Sequence, residues 1–318
     1  MAMAGRTCSC WGEFTSIPLT GYWYENPGDR DQPWKQHYAF ERVRGESPDL
    51  IDIDGDGRPE LLCHWEGKWG WISPDWKRPA DPWTFHPVGE TRDWDQYYHG
   101  EGWGDLNGDG RIDIILNDGW YEQPATLNPE VPWRFHAGVL STDRGGAQIL
   151  LDDVDQDGDQ DIISSLDGHG WGLAWFEQLA EPGDGEGVLQ IGERSFRRHR
   201  LMGNRSEEAT FGVAFSQPHA LALADLDGRK DILTGKRVWA HGPNKDEEPM
   251  GTPVLYWFQS VRNADGTVCF VPHLIDDHSG VGTQLTVADV NQDGRPDVLT
   301  VSKLGAFLFL NRGPSGAP

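Results

Sequence analysis

The stretch DLNGDGRID, Asp105 to Asp113, puts oxygen-bearing side chains at its first, third, fifth and ninth positions and glycine at its sixth. Three further segments repeat that order: DIDGDGRPE from Asp52, DVDQDGDQD from Asp153 and DVNQDGRPD from Asp289. A hard cation takes about six to eight oxygens, which alternating carboxylates and a carbonyl at the seventh position can supply. The expected ligand sets are Asp52, Asp54, Asp56, Arg58 and Glu60; Asp105, Asn107, Asp109, Arg111 and Asp113; Asp153, Asp155, Asp157, Asp159 and Asp161; and Asp289, Asn291, Asp293, Arg295 and Asp297, each seventh residue giving its carbonyl. The glycine permits the sharp turn. The reading is one Ca²⁺ per loop, about four in all.

The flanks decide what the loops join. An EF-hand needs a bidentate Glu at the twelfth position, where this chain has Cys63, Leu116, Ser164 and Thr300. Short apolar runs stand on both sides instead, such as QILL and DIISS around the third loop, so each loop links two strands. A fifth copy, ALALADLDGRKDILTG, keeps the strands but is two residues shorter, leaving Asp225, Asp227 and Asp231 without the fifth-position ligand. No tight calcium site is expected there.

Two more strand signals accompany the loops. One is an aromatic cluster at Tyr22, Trp120, Trp175, Tyr256 and Phe307. The other is an aromatic residue three before a histidine: Trp34 and His37, Trp83 and His86, Trp133 and His136, Phe196 and His199, Phe270 and His273. Four-stranded units recurring every 48 to 72 residues predict an all-β fold, a β-propeller. DLNGDGRIDIIL, DVNQDGRPDVLTV and WYENPG…PWKQH resemble the FG-GAP/VCBS repeats of calcium-binding propellers such as integrin alpha heads. The chain is also similar in style to the propeller domain of aldos-2-ulose dehydratase. That resemblance implies seven blades, with one incomplete at the N-terminus here. The expected organisation is an irregular segment over 1–20, a partial blade over 21–41, blades over about 42–91, 92–141, 142–203, 204–277 and 278–313, and a tail over 314–318.

The formal charge of -24 excludes a polyanion such as nucleic acid as partner. No run of about 18 apolar residues is present, so no membrane insertion is expected. Cys8, Cys10, Cys63 and Cys269 are too few and scattered for a disulfide framework. No signal peptide is visible, yet loops of this kind suit extracellular calcium, which points to an extracellular or periplasmic place. The chain should be a monomer unless a missing blade leaves an open edge.

Five of the eleven histidines recur on the fourth strand and have a packing explanation, with hydrogen bonds to backbone expected. The other six, His64, His99, His169, His219, His241 and His278, map to the side opposite the calcium loops. There Glu46, His64, Trp103, Asn117, His169, Arg237 and Trp239 are candidate ligand-binding residues, with Trp120 as a further sugar platform. The candidate catalytic residues are His99, His219, His241, Lys236 and Tyr97. An additional divalent metal could sit among the histidines. The reading is a calcium-stabilised propeller that binds a small carbohydrate or polysaccharide at this mouth. The alternatives are a carbon-oxygen lyase of dehydratase type, abstracting a proton beside the carbonyl of a keto-sugar, and a protein-interaction scaffold.

Overall fold

The computed structural model describes residues 20–28, 31–94 and 97–313. The expected tail, and the N-terminal segment apart from Thr20, lie outside the described residues. The chain divides into two compact units, residues 1–98 with 124–134 and residues 99–123 with 135–318.

In the first unit β1 (Gly21–Glu25) and β2 (Lys35–Phe40) form a two-stranded sheet. A four-stranded meander follows from β3 (Arg44–Ile51), β4 (Glu60–Trp65), β5 (Lys68–Ser73) and β6 (Thr84–Pro87). Trp23, Phe40, Cys63, Ile72 and Trp83 close the core between them.

The second unit repeats the meander. Its first sheet is β7 (Glu101–Gly104), β8 (Asp113–Leu116), β9 (Gly119–Glu122) and β10 (Arg134–Ala137), the last beginning at the border of the two units. Through a parallel pairing of β7 the same sheet continues into β11 (Gln148–Asp152), β12 (Asp161–Ser165), β13 (Leu173–Leu179), β14 (Val188–Ile191) and β15 (Arg194–Met202), with β15 between β13 and β14, nine strands in all. A one-turn helix, α1 (Glu208–Phe211), precedes β16 (Pro218–Asp225), β17 (Lys230–Lys236), β18 (Leu255–Arg262) and β19 (Val268–Asp276). The last sheet is β20 (Leu285–Ala288), β21 (Asp297–Ser302) and β22 (Gly305–Phe309). The fold is all-β, of the β-propeller class. No helix among the described residues is long and apolar enough to cross a membrane.

Each acidic loop joins the first two strands of a sheet, and its ninth residue explains why. Asp113 is fully buried; its carboxylate accepts the amides of Leu106 at 3.1 Å and Gln123 at 2.9 Å, tying the loop to the third strand. Asp161 does so with Val154 and Gln178, Asp231 with Leu226 and Ser260, and Asp297 with Val290 and Asn311. The ninth carboxylate is therefore a structural tie to the third strand in the later loops, the shortened one included, while Glu60 of the first loop accepts the Ile53 amide at 3.2 Å.

The repeated histidines pack as expected but choose other partners. Each lies against the tryptophan of the neighbouring strand, stacked in four of the five, as His136 is on Trp120 with centroids 4.1 Å apart and His86 on Trp71 at 5.1 Å, and tilted by 35° for His273 on Trp257. Their Nε2 atoms meet side chains, not backbone: Glu25, Ser73, Glu122, Glu177 and Gln259, each two residues after the stacked tryptophan. A strand brings residues i and i+2 to one face, so one ring and one acceptor serve one imidazole.

Successive sheets of the second unit pack face to face. Leu233 on β17 lies in a core cluster with Leu285 and Val298 of the following sheet. Leu299 on β21 holds the same repeat position but is 37% exposed, beside exposed Val301 and Leu308.

Candidate functional site

Four histidines converge inside the second unit. His99 lies just before β7, His169 in the turn after β12, His219 on β16 and His241 after β17. Ring centroids are 4.7 Å apart for His99 and His169, 5.2 Å for His99 and His219, 5.5 Å for His169 and His219, and 4.6 Å for His169 and His241. His169 and His219 are buried, while His99 and His241 are half-buried. Gly168 makes room, since a Cβ there would meet the His99 ring at 3.3 Å and the His219 ring at 3.5 Å.

Hydrogen bonds set the protonation pattern. The Arg237 guanidinium lies 2.6 Å from His219 Nε2 and has only donors, so this imidazole accepts and its neutral form carries the proton on Nδ1. His99 and His169 share a hydrogen bond between their Nε2 atoms at 2.9 Å, one donating and the other accepting. His241 Nδ1 meets both oxygens of Asp246, at 2.9 and 3.0 Å, and the same carboxylate lies 3.8 Å from His169 Nδ1. Ligand atoms of His99, His169 and His219 all lie within 4.8 Å of one another, close enough to share one metal ion.

Asp246 is the residue that the sequence did not reveal. It belongs to the insertion HGPNKDEEPMGTP, which composition marks as surface, yet its side chain is 7% exposed. The segment folds back through Ser216 Oγ donating to the Glu247 carbonyl at 2.7 Å and a two-pronged Arg205 to Glu248 pair at 3.1 and 2.8 Å. Trp239, Asp246 and Glu248 take positive φ, at 51°, 65° and 41°, and so does buried Gln217, at 58°. Such conformations cost about 1 to 3 kcal/mol each and persist where surrounding contacts fix them.

Lys236 is 2% exposed, and its ammonium donates to Ser216 Oγ at 2.5 Å. Burial pushes its pKa down to about 8, against the opposing pull of Glu248. The unfolded chain keeps this proton to about pH 10.5 and the folded chain releases it near 8, so stability attributable to this group rises between those values. Lys236→Met should remove a rise of up to about 3 kcal/mol across that window. Urea melts of wild type and variant at pH 7.5 and 9.5 check it; parallel pH dependence contradicts it.

The structure distributes the remaining candidates. Asn117 binds Ser141 through both amide atoms, at 3.1 Å each, and so closes a loop. Trp120 is 2% exposed beneath His136, which corrects the reading of it as a sugar platform. Trp103 stands opposite Ile114, next to the acidic loop, away from the end of β7 that follows His99. Trp239 is 39% exposed beside the insertion, its indole donating to Met250 Sδ at 3.1 Å. His278 is 83% exposed and paired with Asp277, outside the cluster. Glu46, His64 and Tyr97 belong to the first unit, where His64 packs on Trp69 and Tyr98, and Glu46 N–H donates to the Tyr98 carbonyl.

The acidic loops form turns closed by their first carboxylate. Asp52, Asp105, Asp153 and Asp289 accept the sixth-position glycine amide at 2.8 to 3.2 Å. The fourth position also takes positive φ, at Gly55, Gly108, Gln156 and Gln292, a requirement that the sequence pattern left unseen. Asp153, Asp155 and Asp157 place ligand oxygens within 4.8 Å of one another, as do Asp52, Asp54 and Glu60. Asp52 Oδ1 is buried with no hydrogen-bond partner among the described residues, as a cation ligand would be.

Residues 224–300 match the family described as FG-GAP-like repeat. No curated protein matches the sequence. Among solved structures the chain is similar to an Agrocybe aegerita lectin described as recognising non-reducing terminal N-acetylglucosamine, at 17% identity and TM-score 0.48, covering 93% of this chain and 72% of that one. It is also similar to the biofilm matrix protein Bap1 of V. cholerae, at 15% identity and TM-score 0.37, covering 86% of this chain and 36% of that one.

Proposed function

We propose that the chain is a calcium-stabilised propeller that binds a carbohydrate-like ligand at the histidine cluster, in an extracellular or periplasmic setting. One observation carries the reading. His169 and His241 have no place in the repeat, and the position of His99 and His219, six residues before the first loop aspartate, holds Glu46, Ala147 and Thr283 in the other units, yet four separate elements bring these histidines within 5.5 Å of a neighbouring ring. Residues kept for packing recur in every blade, whereas one ligand meets each blade differently. Imidazoles and Arg237 can donate to and accept from sugar hydroxyls, and exposed Trp239 offers an apolar face for a pyranose. Titration calorimetry against neutral monosaccharides, their oligomers and 2-keto-sugars tests it. His99→Ala, His219→Ala and His241→Ala should each weaken the best binder at least about tenfold, as removal of a buried hydrogen-bonding group does. Unaltered affinity in all three displaces the site.

A second reading, elimination of water from a keto-sugar, is favoured by Lys236, whose buried amine is partly neutral near pH 8. A base would take the proton beside the carbonyl, and the hydroxyl on the next carbon would leave as water after receiving a proton. An unsaturated product in NMR spectra of the keto-sugar incubations distinguishes it from simple binding.

Calcium in the acidic loops would neutralise crowded carboxylates and add stability by mass action, because it binds the folded form alone. Chelation with EDTA should lower the melting temperature by several degrees, about 2 to 4 °C per kcal/mol for a chain this large. Asp109→Ala should reduce the calcium count by one, and Asp227→Ala in the shortened loop should leave it unchanged. A melt indifferent to EDTA excludes the calcium reading.

A further inference from the structure

At the far end of β16 from His219, six residues along the strand and therefore about 20 Å away, a cleft of about 350 Å³ opens between the third acidic loop and the shortened one. The cleft lies wholly in the second unit. Its polar wall contains Asp152, Asp225, Arg229 and Lys230, and its apolar wall includes Leu223 and Phe270. The volume is at the small end for ligand sites, which run from about 300 to 1,000 Å³, and suits a single sugar-sized molecule.

The shortening of the loop explains the chemistry of this wall. In the first complete loop Arg58 lies over the Trp76 ring, but in the second and fourth the seventh-position arginine is held by the fifth-position carboxylate: Arg295 pairs with Asp293 at 2.7 Å, and Arg111 pairs with Asp109. The same arginines donate through Nε to a carbonyl after the third strand, Gln123 or Asn311, at 2.9 Å. In DLDGRKD the fifth and sixth positions are deleted, so Arg229 lacks the carboxylate that restrains Arg111 and Arg295. No hydrogen bond or ion pair holds it among the described residues, and it is half-buried in the wall.

The acids beside it are already engaged. Asp152 pairs with Lys230 at 2.5 Å, and Asp225 accepts the Gly228 amide at 2.5 Å. What remains is a guanidinium fork, carboxylate lone pairs that can still accept from neutral hydroxyls, and an apolar patch. A guanidinium pairs with a carboxylate through two parallel hydrogen bonds. Asp153 also lines the cleft; with calcium held in the third loop engaging it, Asp152 and Asp225 are matched by Arg229 and Lys230, which leaves no surplus negative charge for a ligand ammonium, and the proximity of the acids disfavours a dianion such as phosphate.

We propose that this cleft binds the carboxylate of an acidic sugar, a hexuronate, with Arg229 on the carboxylate, the acids on the ring hydroxyls and Phe270 beneath the ring. This site is separate from the histidine cluster and stands or falls without it. The test uses the whole chain with saturating calcium, and D-glucuronate as probe. Amide NMR should show saturable shifts at Gly228 and Lys230, and Arg229→Ala should weaken binding at least about tenfold, the loss of a charge-assisted pair. Arg229→Lys, which keeps the charge without the fork, should fall between the two, while His278→Ala, exposed and outside both sites, should bind like wild type. D-Glucose should leave these amides unshifted at the same concentrations. Wild-type affinity in a folded Arg229→Ala overturns the proposal. Equal binding of acetate or L-alanine overturns the sugar assignment, since it makes the site one for any carboxylate or for a zwitterion.

Discussion

Truncation of Leu233 to Ala should destabilise the protein by about 2 to 5 kcal/mol, whereas Leu299→Ala, two residues after the ninth carboxylate of the last loop as Leu233 is of the shortened one, should cost less than about 1 kcal/mol. The difference lies in the neighbour, not in the residue. Leu233 is fully buried among Leu255, Val281, Leu285 and Val298, so its loss leaves a cavity lined on both sides. Leu299 is 37% exposed, and water fills the space its truncation leaves. Urea denaturation with calcium held constant reads both values. Equal losses would mean that the face of β21 is covered in solution, and oligomeric state measured at the same concentration would identify a second copy as the cover.

This pair also shows what a repeat makes legible. Each blade solves one packing problem, so Ile115, Ile163, Leu233 and Leu299 announce themselves by position after the loop, and the all-β propeller class follows from their spacing. Burial does not follow, because it depends on what lies across the sheet. The Trp and His stacks were half legible: the histidines stood out, but their side-chain acceptors did not, since a strand brings i and i+2 together whatever the residue type. Trp71 escaped the list of third-strand aromatics because KWGWIS follows its loop so closely that it reads as a continuation of ELLCHW. Asp246 had no repeat position at all. An insertion carries no internal standard to measure a residue against, and only the folded loop shows that this acid faces His169 and His241.

The histidine cluster yields the largest functional effect through a metal probe, independent of any sugar. With the acidic loops kept filled by excess calcium, Co²⁺ should bind wild type at His99, His169 and His219, displacing Arg237 from His219 Nε2 and the proton shared by His99 and His169, and give visible absorption from nitrogen coordination. His169→Ala should weaken this by about a hundredfold, because loss of an outer partner already costs about 10 to 100-fold and a direct ligand lies at or above that upper end. The control is His136→Ala. That ring stacks on Trp120 and bonds Glu122 at 2.7 Å, so its removal should cost about 1 to 3 kcal/mol of stability and leave the cobalt spectrum intact. The two variants thus separate histidines that serve packing from histidines that serve a ligand. A cobalt spectrum absent from wild type, or unaltered by His169→Ala, removes the metal from the cluster and leaves the imidazoles as hydrogen-bonding groups alone. Equal loss of cobalt in His136→Ala would show instead that both sets of histidines depend on a common fold, and that the cluster has no chemistry of its own.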